Sequence, residues 1–197
     1  TVTTTGAGTS LDDIDSFTAN GVTTTKTANP TAVAAFINAA KKGGNIAVGS
    51  YSSAVGTANI ASGSYSSAVG YENKASGGAS SAVGYVNTAS GNSSSAVGSQ
   101  NNASGQNSSA VGYLNTASGK LSSAVGYNNN ASGDASSVFG VGSRATALNA
   151  TAIGFNSLAD EANTISVGKA GAEKRITNVA DATKATDAVN KQQLDTA

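Results

Sequence analysis

SSAVGYENKASGGA, residues 66–79, runs without a gap into SSAVGYVNTASGNS, residues 80–93, and the same fourteen-residue frame continues through blocks beginning at Ser94, Ser108 and Ser122. The blocks at Ser136 and Ala150 are degenerate but in phase, with SSVFG and ATAIG in place of SSAVG. Upstream the frame reaches back to Ser52, and Asn45 to Tyr51 fits the second half of a block. A period held without insertion from Ser52 to Asn163 marks a repeat architecture, in which each unit buries its face only by stacking on its neighbours.

Each block divides into two sevens, since SSAVGYx and NxASGxx both place Ala two residues before Gly. Seven residues suffice for a short strand and a tight bend, so one block makes one turn of a narrow roll of parallel strands. A helix is excluded by the recurring Gly, each of which costs about 1 kcal/mol against Ala in a helix interior.

Variation between blocks falls on both sides of the recurring Asn, at Glu72 and Lys74, Val86 and Thr88, Gln100 and Asn102, Leu114 and Thr116, Asn128 and Asn130. Alternation then sends Asn73 and Ala75 inward and Glu72, Lys74 and Ser76 outward. The SSAVG half shows no such tolerance, and its Ala68 and Val69 must point to opposite faces although both are apolar. A strand covered on both sides reads this way. The column Val55, Val69, Val83, Val97, Val111, Val125, Phe139 and Ile153 therefore belongs either to the roll core or to an interface with partner chains, and the pattern leaves both open. One Val per block is little return for ordering fourteen residues, so self-association along the SSAVG face is expected, closed by cyclic symmetry.

Tyr71, Tyr85, Tyr113 and Tyr127 follow the Gly of their blocks and should stack along one corner. Corner packing is the plain reading; an aromatic ladder for sugar or collagen is the functional one. The recurring Asn is read as an inward ladder rather than a ligand-binding row.

In the flanks, Thr1 to Asn29 is Thr-rich and reads as weak strands or loop, whereas PTAVAAFINAAKK, residues 30–42, predicts a helix capped by Asn29 that covers the first turn of the roll. Past Gly168 the period breaks and charge density rises. Asp187 is expected to cap a helix beginning near Ala188, with Val189 and Leu194 as seam residues of a coiled coil.

Composition removes most chemistry. The 197 residues include no Cys and no His, so thiolate, disulfide, imidazole and common transition-metal chemistry are unavailable, and no cofactor is expected. The carboxylates Asp12, Asp13 and Asp15, and Asp160 with Glu161, read as solvated surface charge rather than a cation site or an acid–base pair. A formal charge of zero gives no reason to expect nucleic acid as a partner. No apolar run approaches the roughly 20 residues of a membrane span, and the chain reads as a soluble fragment of something longer.

The SxAxG blocks followed by TISVGKAG, RITNVA and TDAVNKQQL resemble the YadA-like head and neck of trimeric autotransporter adhesins, over residues 45–197. The resemblance implies an all-β fold, a left-handed parallel β-roll with two strands per turn, packed as a homotrimer. It divides the chain into an N-terminal flank (1–44), a head (45–163) and a neck opening a coiled-coil stalk (164–197). By position the neck role would fall to Ile165, Val167, Arg175, Ile176, Asn178, Val179, Asp187, Val189 and Leu194.

The same resemblance implies a non-enzymatic passenger domain on the bacterial surface, attaching to host matrix, host cells or abiotic surfaces. It would be held to the outer membrane through a C-terminal region that this sequence lacks. The family's collagen motif NSVAIGxxS is approached only at NATAIG, residues 149–154, since most blocks carry Ser where it has its first Val, as at Ser67 and Ser81, and Val where it has Ile. A trimeric phage-fibre segment or a spacer without its own ligand is the alternative. An ice-binding solenoid ranks below both, because the outer positions mix Glu, Lys, Val, Gln and Leu instead of a Thr array.

Overall fold

The computed structural model describes residues 2–4, 14–19, 22–25 and 44–196. Strands β1 (Val2–Thr4), β2 (Ile14–Ala19) and β3 (Val22–Thr25) form an antiparallel sheet in that order. The Thr-rich flank reads as weak strands or loop, and these strands are the part of it that is described. The helix expected over residues 30–42 lies outside the described residues.

From Ile46 the chain winds into a parallel solenoid with two sheets of nine strands each. SAVGY-type segments make long strands, from β5 (Ser53–Thr57) and β7 (Ser67–Tyr71) to β19 (Thr151–Phe155), closed by the two-residue β21 (Ile165–Ser166). The xA pairs make short strands, from β4 (Ile46–Ala47) and β6 (Ile60–Ala61) to β20 (Leu158–Ala159). Pairing is in register throughout, so that each residue lies beside its equivalent fourteen residues away: Ser67 with Ser81, Ala68 with Ala82, Val69 with Val83. At about 4.8 Å per strand the nine coils build a rod roughly 40 Å long.

Small residues allow the two sheets to approach this closely. From Ala68 to Ala152 the inward residues of the long strands meet Ala75, Ala89, Ala103 and their equivalents as far as Ala159 from the short ones, all buried. Two glycine rows hold the coils in contact. At Gly84, φ is +121°, and a Cβ would stand 2.0 Å from the Gly98 carbonyl oxygen. At Gly91 it would stand 2.0 Å from the Gly105 oxygen.

The inward Asn forms the polar seam. Asn87 Nδ2 donates to Asn73 Oδ1 (2.9 Å), to the Val83 carbonyl (3.0 Å) and to the Gly98 carbonyl (2.7 Å), while the Asn87 backbone N–H reaches Asn73 Oδ1 at 3.0 Å. Each side chain therefore closes the bend of its own coil and ties it to the coils on both sides. In the last two blocks Ser143 and Ser157 take over, Ser143 Oγ donating to the Gly154 carbonyl (2.7 Å) and accepting from the Ser157 N–H (2.9 Å).

Both corners of a coil contain one residue in the left-handed region, non-glycine everywhere but at Gly142. At the first corner these are Glu72, Val86, Gln100, Leu114 and Asn128, with φ between 52° and 58°. At the second, Ala79, Ser93, Asn107, Leu121 and Ala135 have φ between 54° and 60°. Sequence variation is spread over both corners, not only around the Asn, because either bend demands a backbone conformation and leaves its side chain in solvent.

Candidate functional site

Alternation fixes what each face of the long strand presents. With Ala68 in the core, Ser67, Val69 and Tyr71 point away from the roll, and the same holds coil after coil. The outer face thus carries three parallel columns, of Ser, of Val and of aromatic or small residues. The Val column is the side left open by the sequence pattern. It is not in the roll core, which the smaller Ala fills.

In the single chain Val55 is 55% exposed, Val69, Val83, Val97 and Val111 are 37–38% exposed, Phe139 48% and Ile153 43%, with Val125 half-buried. An in-register apolar column of this length on a flat sheet is the pattern of an interaction surface, since isolated soluble chains rarely expose contiguous patches this large. Tyrosines border it. Tyr71 and Tyr85 stack with centroids 5.4 Å apart at 8°, and Tyr113 and Tyr127 lie 5.5 Å apart at 45°. The column is not continuous as the spacing predicts, because Ser99 stands between the two pairs. A further pair, Tyr51 stacked on Tyr65 at 5.1 Å, sits on the second corner.

Of the candidate neck residues, Ile165 lies in the closing roll strand β21, and Ile176, Asn178, Val179 and Val189 line one open cavity without forming a packed core within one chain. Ile165, Ile176, Val189 and Leu194 are each 62–72% exposed, Arg175 and Asn178 are exposed, and Val167 and Val179 are half-buried. Local order comes instead from polar side chains that sequence reasoning passes over. Gln193 clamps Ala182, its Oε1 accepting from the Ala182 N–H (2.7 Å) and its Nε2 donating to the Ala182 carbonyl (3.1 Å). Asn190 donates to Asp181 Oδ1 at 2.7 Å and to the Val179 carbonyl at 3.2 Å.

The terminal helix α1 (Lys191–Asp195) starts later than expected, and Asn190, not Asp187, caps it, accepting from the Gln193 N–H at 3.0 Å. Asp187 is already engaged. Its Oδ2 accepts from the backbone N–H groups of Thr183 and Lys184, each at 3.0 Å. These two donors, Thr183 foremost, hold the Asp187 carboxyl below the usual carboxylate range.

Lys174 joins neck to roll. Its Nζ donates to Ser157 Oγ (3.0 Å) and to the Phe155 carbonyl, so a neck cation terminates the seam that begins among the asparagines. The signal for this role is the loss of Asn at positions 143 and 157, which leaves a smaller side chain at the seam's end and room for a long one to reach in. Among the described residues no cluster of three or more potential metal ligands occurs, and no helix is long and apolar enough to cross a membrane.

Stacked fourteen-residue coils with an unpartnered apolar column, leading into an extended and largely exposed segment, make this a parallel β-solenoid that presents an interaction face. The family model of the YadA head domain repeat matches residues 47–73, 61–87, 75–101, 89–115, 103–129, 117–143 and 145–169, and that of the coiled stalk of trimeric autotransporter adhesin matches residues 175–197. The chain belongs to the YadA-like trimeric autotransporter adhesins. Of the expected neck residues, Arg175 to Leu194 fall within the stalk match, whereas Ile165 and Val167 fall within the last head repeat.

Among solved structures, the collagen-binding domain of the Yersinia adhesin YadA is similar, with 29% sequence identity and a TM-score of 0.57 over 73% of this chain and 84% of that one. No curated protein matches the sequence.

Proposed function

We propose that three copies of this chain pack along their Val columns into a head that attaches a bacterium to host matrix, host cells or a surface. An adhesin head domain is what the family establishes; the assembly and the attachment are the further step. The observation that carries it is the exposed column from Val55 to Ile153, which nothing among the described residues covers. Burial of one branched side chain per coil adds about 1.5 kcal/mol or more where it is completed. Repeated over eight coils in three chains, this supplies what the Ala-filled core lacks.

On this reading Ile165, Val167, Arg175, Ile176, Asn178, Val179, Asp187, Val189 and Leu194 form the neck that narrows the head to a coiled-coil stalk, with Val189 and Leu194 facing the partner helices. The boundaries at residues 44 and 163 separate flank, head and neck. The chain would stand at the cell surface, held to the outer membrane through a segment beyond the stalk. Two measurements test the proposal. Light scattering should return three times the monomer mass, and the trimer should bind at least one of a panel of matrix proteins, cells and abiotic surfaces. Collagen belongs on the panel because the similar solved domain binds it. A monomer, or a trimer inert to the whole panel, refutes the corresponding half.

A further inference from the structure

We infer that the gap at Ser99 in the tyrosine column is a one-ring slot for a neutral sugar. The inference rests on the reading of the chain as an adhesin head and names a class of ligand for it. Ser99 pairs with Tyr85 on one side and with Tyr113 on the other, so these tyrosines stand two strand spacings apart, about 9.6 Å.

A ring inserted midway lies about 4.8 Å from each neighbour, inside the 4.5–7 Å range of favourable ring contacts. The neighbouring pair sets the standard: Tyr71 and Tyr85 stack at 5.4 Å with no gap between them. Replacing one Tyr of a regular column by Ser thus leaves a space the thickness of a single ring, bordered by an exposed Tyr on each side and floored by a hydroxyl. In the single chain Tyr85 and Tyr113 are 49% and 40% exposed, at the border of the Val column, and Ser99 is half-buried between them. The backbone of the three strands is tied across the slot, since Gln100 N–H donates to the Tyr85 carbonyl (2.9 Å) and Leu114 N–H to the Ser99 carbonyl (3.1 Å).

The surroundings select the guest. Residues 75–119 contain no Asp, Glu, Lys or Arg, and are rich in Ser, Thr, Asn and Gln. A neutral polar surface with two aromatic walls suits a pyranose, whose C–H faces lie against the rings while its rim hydroxyls meet Ser99 and the exposed Gln100 amide. A charged guest would find no counter-ion here.

The test uses saturation-transfer NMR on the whole chain with chitotriose, cellotriose and maltotriose as probes and sialyllactose as the anionic control. At least one neutral trisaccharide should receive saturation, with sialyllactose receiving none. Ser99→Tyr restores the Tyr found at the same place in four other blocks, so it should fold as the parent does, and it should weaken binding about tenfold or more by filling the slot. Tyr113→Ser should weaken it similarly by removing a wall.

The inference is overturned if no neutral trisaccharide binds, or if Ser99→Tyr binds as well as the parent. It is also overturned if Ser99→Tyr changes the mass of the assembly, because the slot would then hold a partner chain. Sugar binding and assembly mass are read on the same sample, so loss of the slot and loss of the trimer are told apart.

Discussion

Asn87 Nδ2 and the Asn87 backbone N–H converge on one atom, the Oδ1 of Asn73, at 2.9 and 3.0 Å. Repeated from Asn59 to Asn129, this convergence satisfies both lone pairs of every amide oxygen in the row except the last, which accepts only the Ser143 N–H. Removing one rung should therefore be felt in three coils. Asn87→Ala takes one donor from the Asn73 amide oxygen and from the carbonyls of Val83 and Gly98, and leaves the buried Asn101 N–H without the Asn87 Oδ1 acceptor it holds at 3.0 Å. At about 1–3 kcal/mol for a buried group left unpaired, we expect a loss of about 3 kcal/mol or more in urea unfolding. Asn87→Ser should cost distinctly less, since Ser143 and Ser157 stand at equivalent positions. Equal losses for both substitutions would refute the account.

A second inward row behaves in the opposite way. The hydroxyls of Ser66, Ser80, Ser94, Ser108, Ser122 and Ser136 are buried and have no hydrogen-bond partner in the protein, and Ala150 stands in the same place in the last block. Ser94→Ala should therefore raise stability, by up to about 1 kcal/mol, measured as a rise in the midpoint of urea unfolding. A fall would mean that the hydroxyl is satisfied.

The Val column and the first corner should respond differently to charge. Val83→Asp with Val97→Asp places two carboxylates on the proposed interface, and light scattering should show monomers. Glu72→Gln or Gln100→Glu lies on the exposed corner and should leave the mass at three chains. Equal tolerance at both sets would remove the Val column from the interface.

Val86 is a β-branched residue at φ +55°, a conformation that suits Asn, as Asn128 and Asn156 show at the equivalent corner. Val86→Asn should stabilise the protein by about 1 kcal/mol, read as a higher unfolding midpoint. No gain would mean that Val86 makes a compensating contact in the assembly.

For Asp187 the sign of the pH effect follows from its depressed carboxyl. A group whose folded pKa lies below its unfolded one contributes stability above the unfolded value and loses it as pH falls through the folded one. The turn at Thr183–Asp187 should thus be intact at neutral pH and open below the usual carboxylate range, shown by loss of amide-exchange protection at Thr183 and Lys184. Asp187→Asn should remove that pH dependence, and its persistence in the variant would assign it elsewhere.

Much of this is legible in the sequence, and the gaps have physical causes. Period and alternation place Asn73 and Ala75 inward and Lys74 outward, because a strand has only two faces and one of them varies. The choice between Ala68 and Val69 is not legible in the same way, since both are apolar; it follows from the width of the roll, which only Ala fits. The break at Ser99 is spelled out in the sequence, yet its meaning needs the neighbouring strands to be placed. Lys174 and Gln193 are invisible to periodicity, because their partners lie at the seam's end and across a turn. Asp187 carries a genuine capping preference, but the nearby N–H groups of a tight turn take its carboxylate first.

The in-register pairing of every residue with its own equivalent has a consequence for how such a molecule changes over generations. Loss or gain of a whole block leaves every rung, corner and column matched, and alters only reach, by about 4.8 Å each time. Loss of seven residues would set a long strand against a short one and interrupt rung, corner and column together at that joint. Near-identical neighbouring repeats favour recombination in whole blocks, so the height at which this protein presents its surface is a quantity that heredity adjusts in discrete steps without redesigning the fold.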